Sequence, residues 1–297
     1  MTIESKQIAT PAGATLPQDG FSLISNHKLI QLYTTMLKCR MTDERISTFT
    51  RRDKSTAPNA ATGQEAVVAG VGLGLLRGDT LAPSPGGLIP CFVKGLPLSR
   101  IFSALSSPGT QPRPRYAPLK LIPPSLSLRA QLQRAIGAAM ANKKSKNGKI
   151  AVAFCGASCD APDPFQEVMR RAGKLSLPIL LVCQSGPHSE EIFLRAEACG
   201  FPGVAVDGDD AVAVYRVATE AMAHARRGSG PTLIECRPWV LPGQRPGRRR
   251  AAGNPILKME NYLTRKGLFD RKLKSTVIAS FRRELDAAVK QAGGMRP

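Results

Sequence analysis

The feature that most restricts how this sequence folds is a regular alternation of short apolar runs and amphipathic segments between residues 126 and 236. The apolar runs are rich in Val, Ile, Leu and Cys, which is typical of strands buried on both faces. These runs occupy 149–155, 178–183, 203–206 and 232–236, and segments with helical spacing occupy 126–142, 165–175, 189–199 and 209–226. Strands that alternate with helices form a parallel sheet with helices on both faces, so we predict an α/β fold.

The loops that follow the predicted strands are the expected place for a functional site. In open parallel sheets, ligands lie beyond the carboxyl ends of the strands. We therefore expect functional residues in the loops at 156–164 and 184–188.

The first part of the chain has fewer regular patterns. Residues 29–49 carry apolar side chains at helical spacing, and Thr62 stands three residues before Glu65, the spacing of a capping box at the start of a helix. Residues 82–124 are rich in proline, which predicts loop with a helix only at 98–105.

The domain organisation predicted from these patterns has three parts. A flexible tail at 1–24 is followed by one α/β domain at 25–270, which includes the proline-rich stretch. A C-terminal helical tail follows at 271–297.

Composition excludes several classes of protein. The chain has 297 residues, of which 42% are hydrophobic and 22% charged, which is ordinary for a globular protein. Its longest apolar stretch, 66–76, is far shorter than the roughly 18 residues of a membrane span, and the first twenty residues do not form a secretion signal. Seven cysteines without a CxxC pair argue against a zinc site or a disulfide framework, so we expect reduced cysteines in a cytoplasmic protein.

The chain is strongly basic, with a net charge of +20. Its cations cluster at Arg51, Arg52 and Lys54, at Lys143, Lys144, Lys146 and Lys149, and at Arg245, Arg248, Arg249 and Arg250. Such clusters bind nucleic acid or an acidic partner, or they are simply solvated. The clusters contain no aromatic side chains for base stacking, which favours the solvated interpretation and leaves nucleic acid as the alternative.

Four collinear segments carry a resemblance to a known family. The first is LYTTMLKCRMTDERI at 32–46, and the second is Gly-Gln-Glu-Ala at 63–66, continued by Arg-Gly-Asp at 77–79. The third and fourth are 149–184 and 201–239. Together they resemble the α subunit of the thiamine-diphosphate-dependent 2-oxo acid dehydrogenases, the E1 component of the pyruvate, branched-chain and acetoin systems.

This resemblance implies a thiamine-diphosphate-binding fold, the cofactors thiamine diphosphate and Mg²⁺, and either an E1 β-like partner or a homo-oligomer. The family binds Mg²⁺ through the Asp of a Gly-Asp-Gly loop, and the matching positions here are Gly156, Ala157 and Ser158. Further ligands come from an Asn-Asn-x-Tyr run, where this chain has Gly186 in place of the second Asn and His188 in place of Tyr. Because the side chains of Ala and Gly offer no oxygen to a hard cation, two metal ligands are missing together.

The remaining motifs of the family site are also substituted. A Tyr-Arg-x-His run that supports the cofactor corresponds to Pro85, Gly86 and Leu88, and the His before Gly-Gln-Glu corresponds to Asn59. The late His-Gly-His loop is replaced by Pro-Gly-Gln at 242–244. The sequence therefore predicts that no catalytic residue and no metal site of the family are retained.

Substitute metal ligands are one alternative at this site. Asp160, Asp163 and His188 could face the same cleft, and Glu167 follows on the next helix. Two carboxylates beside prolines are also routine turn or N-cap residues, and this structural interpretation is favoured.

Two further motifs have a structural interpretation. Glu65 at capping-box spacing is expected to act structurally near a subunit interface. The glycines at 70, 72 and 74 follow no strand, so they predict close helix packing and not dinucleotide binding.

The sequence thus predicts an E1 α-like protein with lost or weakened cofactor binding that acts as a subunit or scaffold. One alternative is an active E1 α subunit, an oxidoreductase that decarboxylates a 2-oxo acid. A second alternative is a basic protein that binds an acidic partner or nucleic acid.

Overall fold

The computed structural model describes residues 24–53, 63–106, 116–125, 127–156, 162–185, 191–237 and 254–293. Its centre is a five-stranded sheet in which every pairing is parallel and the strand order is β1-β2-β3-β5-β4. The strands are β1 (Thr80–Ala82), β2 (Ala151–Gly156), β3 (Ile179–Gln184), β4 (Gly203–Asp207) and β5 (Thr232–Arg237). The α/β fold with a parallel sheet is therefore confirmed.

Ten α-helices flank this sheet in the described part of the chain. They are α1 (Asn26–Asp53), α2 (Glu65–Gly72), α3 (Ile89–Val93), α4 (Leu98–Ser106), α5 (Leu128–Ser145), α6 (Pro162–Lys174), α7 (Ile192–Ala198), α8 (Ala211–Arg226), α9 (Pro255–Arg265) and α10 (Arg271–Gly293). Helices α5, α6 and α7 cover one face of the sheet, and α2 and α8 cover the other. Helix α10 packs against α4 and α1 on that second side.

Strand composition explains why the sheet forms here. Residues of β2, β3 and β5 alternate between two apolar clusters, because successive side chains of a strand point to opposite faces. Leu180 and Val182 belong to the cluster under α8, whereas Leu181 and Cys183 belong to the cluster under α5 and α6. Both faces are covered, which is why these strands are apolar at nearly every position.

Close helix packing on the second side depends on glycine. An added Cβ at Gly70 would lie 2.7 Å from Val214 Cγ1, and one at Gly72 would lie 2.4 Å from Val93 Cγ1. At Gly74 it would lie 3.2 Å from the sulfur of Met222. The close packing predicted from the glycine series is thus confirmed.

Two short elements are not predicted by the sequence pattern: β1, which ends where the predicted loop at 82–124 begins, and α3, which lies inside that loop. Strand β1 has only three residues and is held by pairing with β2 and by a bridge between Leu81 and Leu121. Helix α3 has five residues with Pro90 in its first turn. Both owe their conformation to distant partners, which a local sequence pattern does not reveal.

A buried ion pair fixes the edge of the sheet where the strands begin. Asp79, which is 1% exposed, accepts hydrogen bonds from Leu76 N at 2.8 Å and from Ile150 N at 3.2 Å. Asp79 Oδ2, which accepts the N–H of Leu76, also pairs with Arg226 at the end of α8. One carboxylate thus ties together the starts of β1 and β2 and the last turn of α8.

Two further features of the described chain concern its cysteines and its helices. Five of the six described cysteines are buried, and Cys199 is half-buried. None of the helices in the described ranges combines the length and apolar character that a bilayer span requires.

Candidate functional site

The carboxyl ends of β1, β2 and β3 form the edge at which the sequence places the functional site. Pro85 and Gly86 follow β1 in a tight turn, in which Gly87 N donates to Ser84 O at 2.8 Å. Gly86 has a φ of 69°, a left-handed conformation that favours glycine. Its N–H donates to Ser125 O at 3.3 Å, which fixes the turn against the segment that leads into α5.

The structure places some predicted site residues at this edge and leaves others outside the described residues. Gly156 ends β2, next to β1 and β3 in the sheet. Asp163 lies in the first turn of α6, where its backbone alone is described. The remaining predicted residues lie outside the described residues; they are Asn59, Ala157, Ser158, Asp160, Gly186, His188 and 242–244.

Glu167 lies on the second turn of α6 and is exposed. Its carboxylate lies 3.7 Å from Arg129 Nη1 of α5. Both side chains are more than half exposed, so this ion pair contributes little to stability. Glu167 thus lies on the protein surface with Arg129 as its partner.

Three polar side chains near this edge were missed by the sequence analysis. Gln131 in the first turn of α5 is 1% exposed, and neither its Oε1 nor its Nε2 has a hydrogen-bond partner among the described residues. Gln184 Nε2 and Ser185 Oγ at the end of β3 are likewise buried without a partner in that part of the chain. Gln131 could have been noticed, because it falls on the apolar stripe of α5 with Leu132 and Ala135.

Glu65 is held at the start of α2 by an arrangement different from a capping box. The helix begins at Glu65 itself, and the N-cap position is Gln64. Both Glu65 oxygens accept the N–H of Gly63, at 3.0 and 3.2 Å, and one also pairs with Arg40 of α1. At 1% exposure this carboxylate is committed to joining α1 to α2.

A second group of ionisable side chains lies where β4 leads into α8. Asp210 caps α8 by accepting the N–H of Val212 and of Ala213, both at 3.0 Å. Asp207 pairs with Lys258 of α9. Asp209 lies between these two residues in the sequence. Its burial raises its pKa to about 6, and the negative charge of Asp207 is the second cause.

The described residues at the ends of β1, β2 and β3 offer no anionic side-chain ligand for a divalent cation. The described residues that directly follow these strands, 83–87 and Ser185, include no carboxylate. No group of three or more His, Cys, Asp or Glu suited to a metal occurs among the described residues. The hard oxygen ligands that Mg²⁺ requires are therefore not offered by this part of the edge.

A groove of about 530 Å³ lies between helices and not at the strand ends. It is lined by residues of α1, α9 and α10 and by Asn254 before α9. Arg45 and Asp286 pair across it. No strand and no residue of the predicted site contributes to its lining.

Comparison with known proteins identifies relatives over nearly the whole chain. The family model of the dehydrogenase E1 component matches residues 33–239. The chain is 28% identical to the pyruvate dehydrogenase E1 component subunit alpha of Staphylococcus aureus, over 97% of this chain and 84% of that protein. The Staphylococcus epidermidis protein of the same name is 27% identical over the same shares.

Comparison of folds gives a neighbour of the same architecture. A transketolase from Campylobacter jejuni superimposes with a TM-score of 0.54 over 91% of this chain, at 17% identity. The chain spans about half of that transketolase, 48% of its length. This likeness supports the thiamine-diphosphate-binding fold predicted from the sequence.

Proposed function

Because the chain belongs to the dehydrogenase E1 component family, we propose that it serves as an E1 α-type subunit that does not hold thiamine diphosphate through the family's metal site. It acts as a structural or regulatory partner of an E1 β-like subunit. The decarboxylation of a 2-oxo acid then depends on another chain.

One observation carries this proposal: in the part of the chain that the structure describes, the residues that follow β1, β2 and β3 at the expected site offer no carboxylate. Pro85 and Gly86 stand where the resemblance expects Tyr and Arg, and their turn is complete without a ligand because it closes on Ser84 and Ser125. Ala157 and Gly186 supply no side-chain oxygen. A diphosphate would lose several charge-assisted contacts, each worth about 1.5 to 3 kcal/mol.

Calorimetric titration of the purified chain with thiamine diphosphate and Mg²⁺ tests the proposal. The titration is run on the chain alone and on its complex with a co-expressed E1 β-like subunit. We expect no saturable Mg²⁺-dependent binding to the α chain in either state. Micromolar binding that disappears on removal of Mg²⁺ would contradict the proposal.

A restoring variant makes a negative result informative. The double substitution Ala157→Asp and Gly186→Asn returns two oxygen ligands to the positions where the family has them. We expect this variant to gain Mg²⁺-dependent binding, with a rise in melting temperature because the ligand stabilises the folded state. A control with Ala157→Asn and Gly186→Ala supplies no carboxylate and should gain much less.

A second candidate function is an active E1 α subunit with a substitute ligand set. The unpartnered amide of Gln131 and hydroxyl of Ser185 support it, since buried polar groups normally have partners. In that case Asp160→Ala or Asp163→Ala would abolish cofactor binding and 2-oxo acid decarboxylation by the α and β chains together. The same variants should be without effect under the first proposal.

A further inference from the structure

The positive charge of the chain is concentrated in one long part of the sequence. Residues 80–159 contain eleven Lys and Arg and no Asp or Glu. Such a stretch cannot neutralise its own cations. Counter-charges for it come from other parts of the fold, from ions in solution or from another molecule.

The fold brings the lysine cluster of this stretch to a second set of cations. Lys143 Nζ, on the last turn of α5, donates to Leu175 O at 2.6 Å and to Ser176 O at 3.4 Å, just past the end of α6. The ends of α5 and α6 therefore lie side by side. We call the region around these two helix ends the basic face; its cations, grouped by their position at or next to the ends of α5 and α6, are Lys143, Lys144, Lys146, Lys149, Arg170, Arg171 and Lys174, all of them exposed.

The cations of the basic face have no carboxylate partners. None of the seven forms an ion pair with any residue in the described ranges. Glu167, the one acidic side chain described on α5 or α6, lies two turns from the end of α6 and pairs with Arg129. The charge of the face is thus left to solvent or to a partner.

The cations are presented on an ordered turn. After α5 the chain adopts left-handed conformations at Lys146 and Gly148, with φ of 44° and 66°. Lys149 N donates to Asn147 Oδ1 at 2.9 Å, and the Lys149 stem lies so close to Gly78 that an added Cβ there would be 2.8 Å from its Cε. A pre-organised face loses little conformational freedom when it binds.

Helix stabilisation alone does not explain the face. Cations favour the last turn of a helix because they interact with its dipole, and this accounts for four of the seven, Lys143, Lys144, Arg171 and Lys174. The effect falls off within that turn. Lys149 lies four residues beyond the end of α5, at the start of the next strand, and gains nothing from it.

We propose that the basic face binds double-stranded nucleic acid through its phosphates, without sequence preference. Lysine is depleted at the centres of protein–protein interfaces, whereas it suits phosphate as a point charge, and five of the seven cations are lysines. The face contains no aromatic side chain. Single strands are held largely by base stacking on aromatic rings, so the absence of aromatic side chains on this face favours contacts with the backbone of a duplex.

Salt-dependent binding of a fluorescent DNA duplex of about 20 base pairs tests the proposal. Fluorescence anisotropy of the full chain is measured from about 50 to about 200 mM NaCl, and the slope of log K against log salt counts the phosphates contacted, at about 0.9 per phosphate. Substituting Lys144, Lys146, Arg171 and Lys174 by Gln should reduce the magnitude of the slope by about 3 to 4 and weaken binding at least about tenfold. Lys143 is left unchanged because it joins the two helix ends.

A matched control removes the same charge elsewhere. Arg271, Lys272, Arg282 and Arg283 are exposed on α10, and their substitution by Gln lowers the net charge equally. We expect this control to change affinity less than about threefold, because its cations lie outside the contacted surface. Equal losses in both variants would overturn the proposal and assign binding to net charge alone.

Two further outcomes are decisive. Tighter binding of poly-glutamate than of the duplex at the same charge concentration would overturn the proposal in favour of an acidic protein partner. If the fourfold variant does not fold, chemical labelling of wild-type lysines replaces it. Saturating duplex should protect Lys144, Lys146 and Lys149, and unprotected lysines on this face would contradict the proposal.

Discussion

The ion pair that anchors the start of the sheet gives the sharpest stability prediction. Asp79→Ala removes a carboxylate that accepts two backbone N–H groups and pairs with Arg226. Ile150, whose N–H is one of the donors, is fully buried, and Arg226 retains 21% exposure. The substitution therefore leaves one buried donor and one largely buried cation without their partner.

The expected loss follows from these contacts. Removing one member of a buried ion pair costs about 3 to 5 kcal/mol, and an unsatisfied buried N–H costs about 1 to 3 kcal/mol. Because water reaches part of Arg226, we place the total near the lower end, at about 3 kcal/mol. For a chain of this size, with an unfolding entropy of about 2.1 cal/mol/K per residue, that lowers the melting temperature by roughly 5 °C.

Urea denaturation followed by circular dichroism measures the loss. The control is Asp286→Ala, which also removes an aspartate from an arginine, but from a pair whose side chains are 38% and 55% exposed. It should change the free energy of unfolding by about 0.5 kcal/mol or less. A loss below about 1 kcal/mol for Asp79→Ala, or equal losses in both variants, would refute the role of the buried pair.

Three further predictions concern pH, packing and a buried amide. The pKa of Asp209 is raised from an ordinary value of 3.8 to about 6. The free energy of unfolding therefore falls as pH rises from about 4 to about 6, and it stays at the lower value at higher pH. Asp209→Asn should therefore raise the melting temperature at pH about 7.5 and change it little at pH about 4; an equal gain at both values would contradict this origin. An added Cβ at Gly203 would lie 2.0 Å from Phe193 O, so Gly203→Ala should cost about 1 to 3 kcal/mol in chemical denaturation. Gly137→Ala, on an open helix surface, should instead stabilise by about 0.5 to 1 kcal/mol. Gln131→Met should raise the free energy of unfolding by about 1 kcal/mol, because it removes an unpartnered buried amide; destabilisation would show that the amide has a partner beyond the described residues.

The strands at the centre of the sheet could be predicted from the sequence because their environment is uniform. The runs at 149–155, 178–183 and 232–236 differ by at most two residues from β2, β3 and β5. Strand β1 could not be predicted. It has three residues between Asp79 and Pro83, and only its pairing with β2 makes it a strand.

The candidate site was predictable in position but not in its polar groups. Parallel topology places Pro85, Gly86 and Gly156 at one edge once the strands are known. That Gln131 has no partner among the described residues is a property of the surrounding fold, and so is the contact of Lys143 with the chain just past the end of α6. Both depend on packing between α5 and α6, which sequence spacing does not specify.

During synthesis, the contacts of helix α1 are completed only after α9 and α10, near the end of the described chain, have been made. Tyr33 Oη donates to Glu260 Oε1 at 2.9 Å, and Arg45 pairs with Asp286. These partners are 227 and 241 residues apart in the chain. At ribosomal rates of about 5 to 20 residues per second, α1 emerges roughly 10 to 50 s before α9 and α10. Helices α2, α3 and α4 follow α1 soon and pack on part of its surface, but the part that contacts α9 and α10 stays uncovered during that interval. Nascent chains should therefore engage chaperones that recognise exposed apolar helix surfaces.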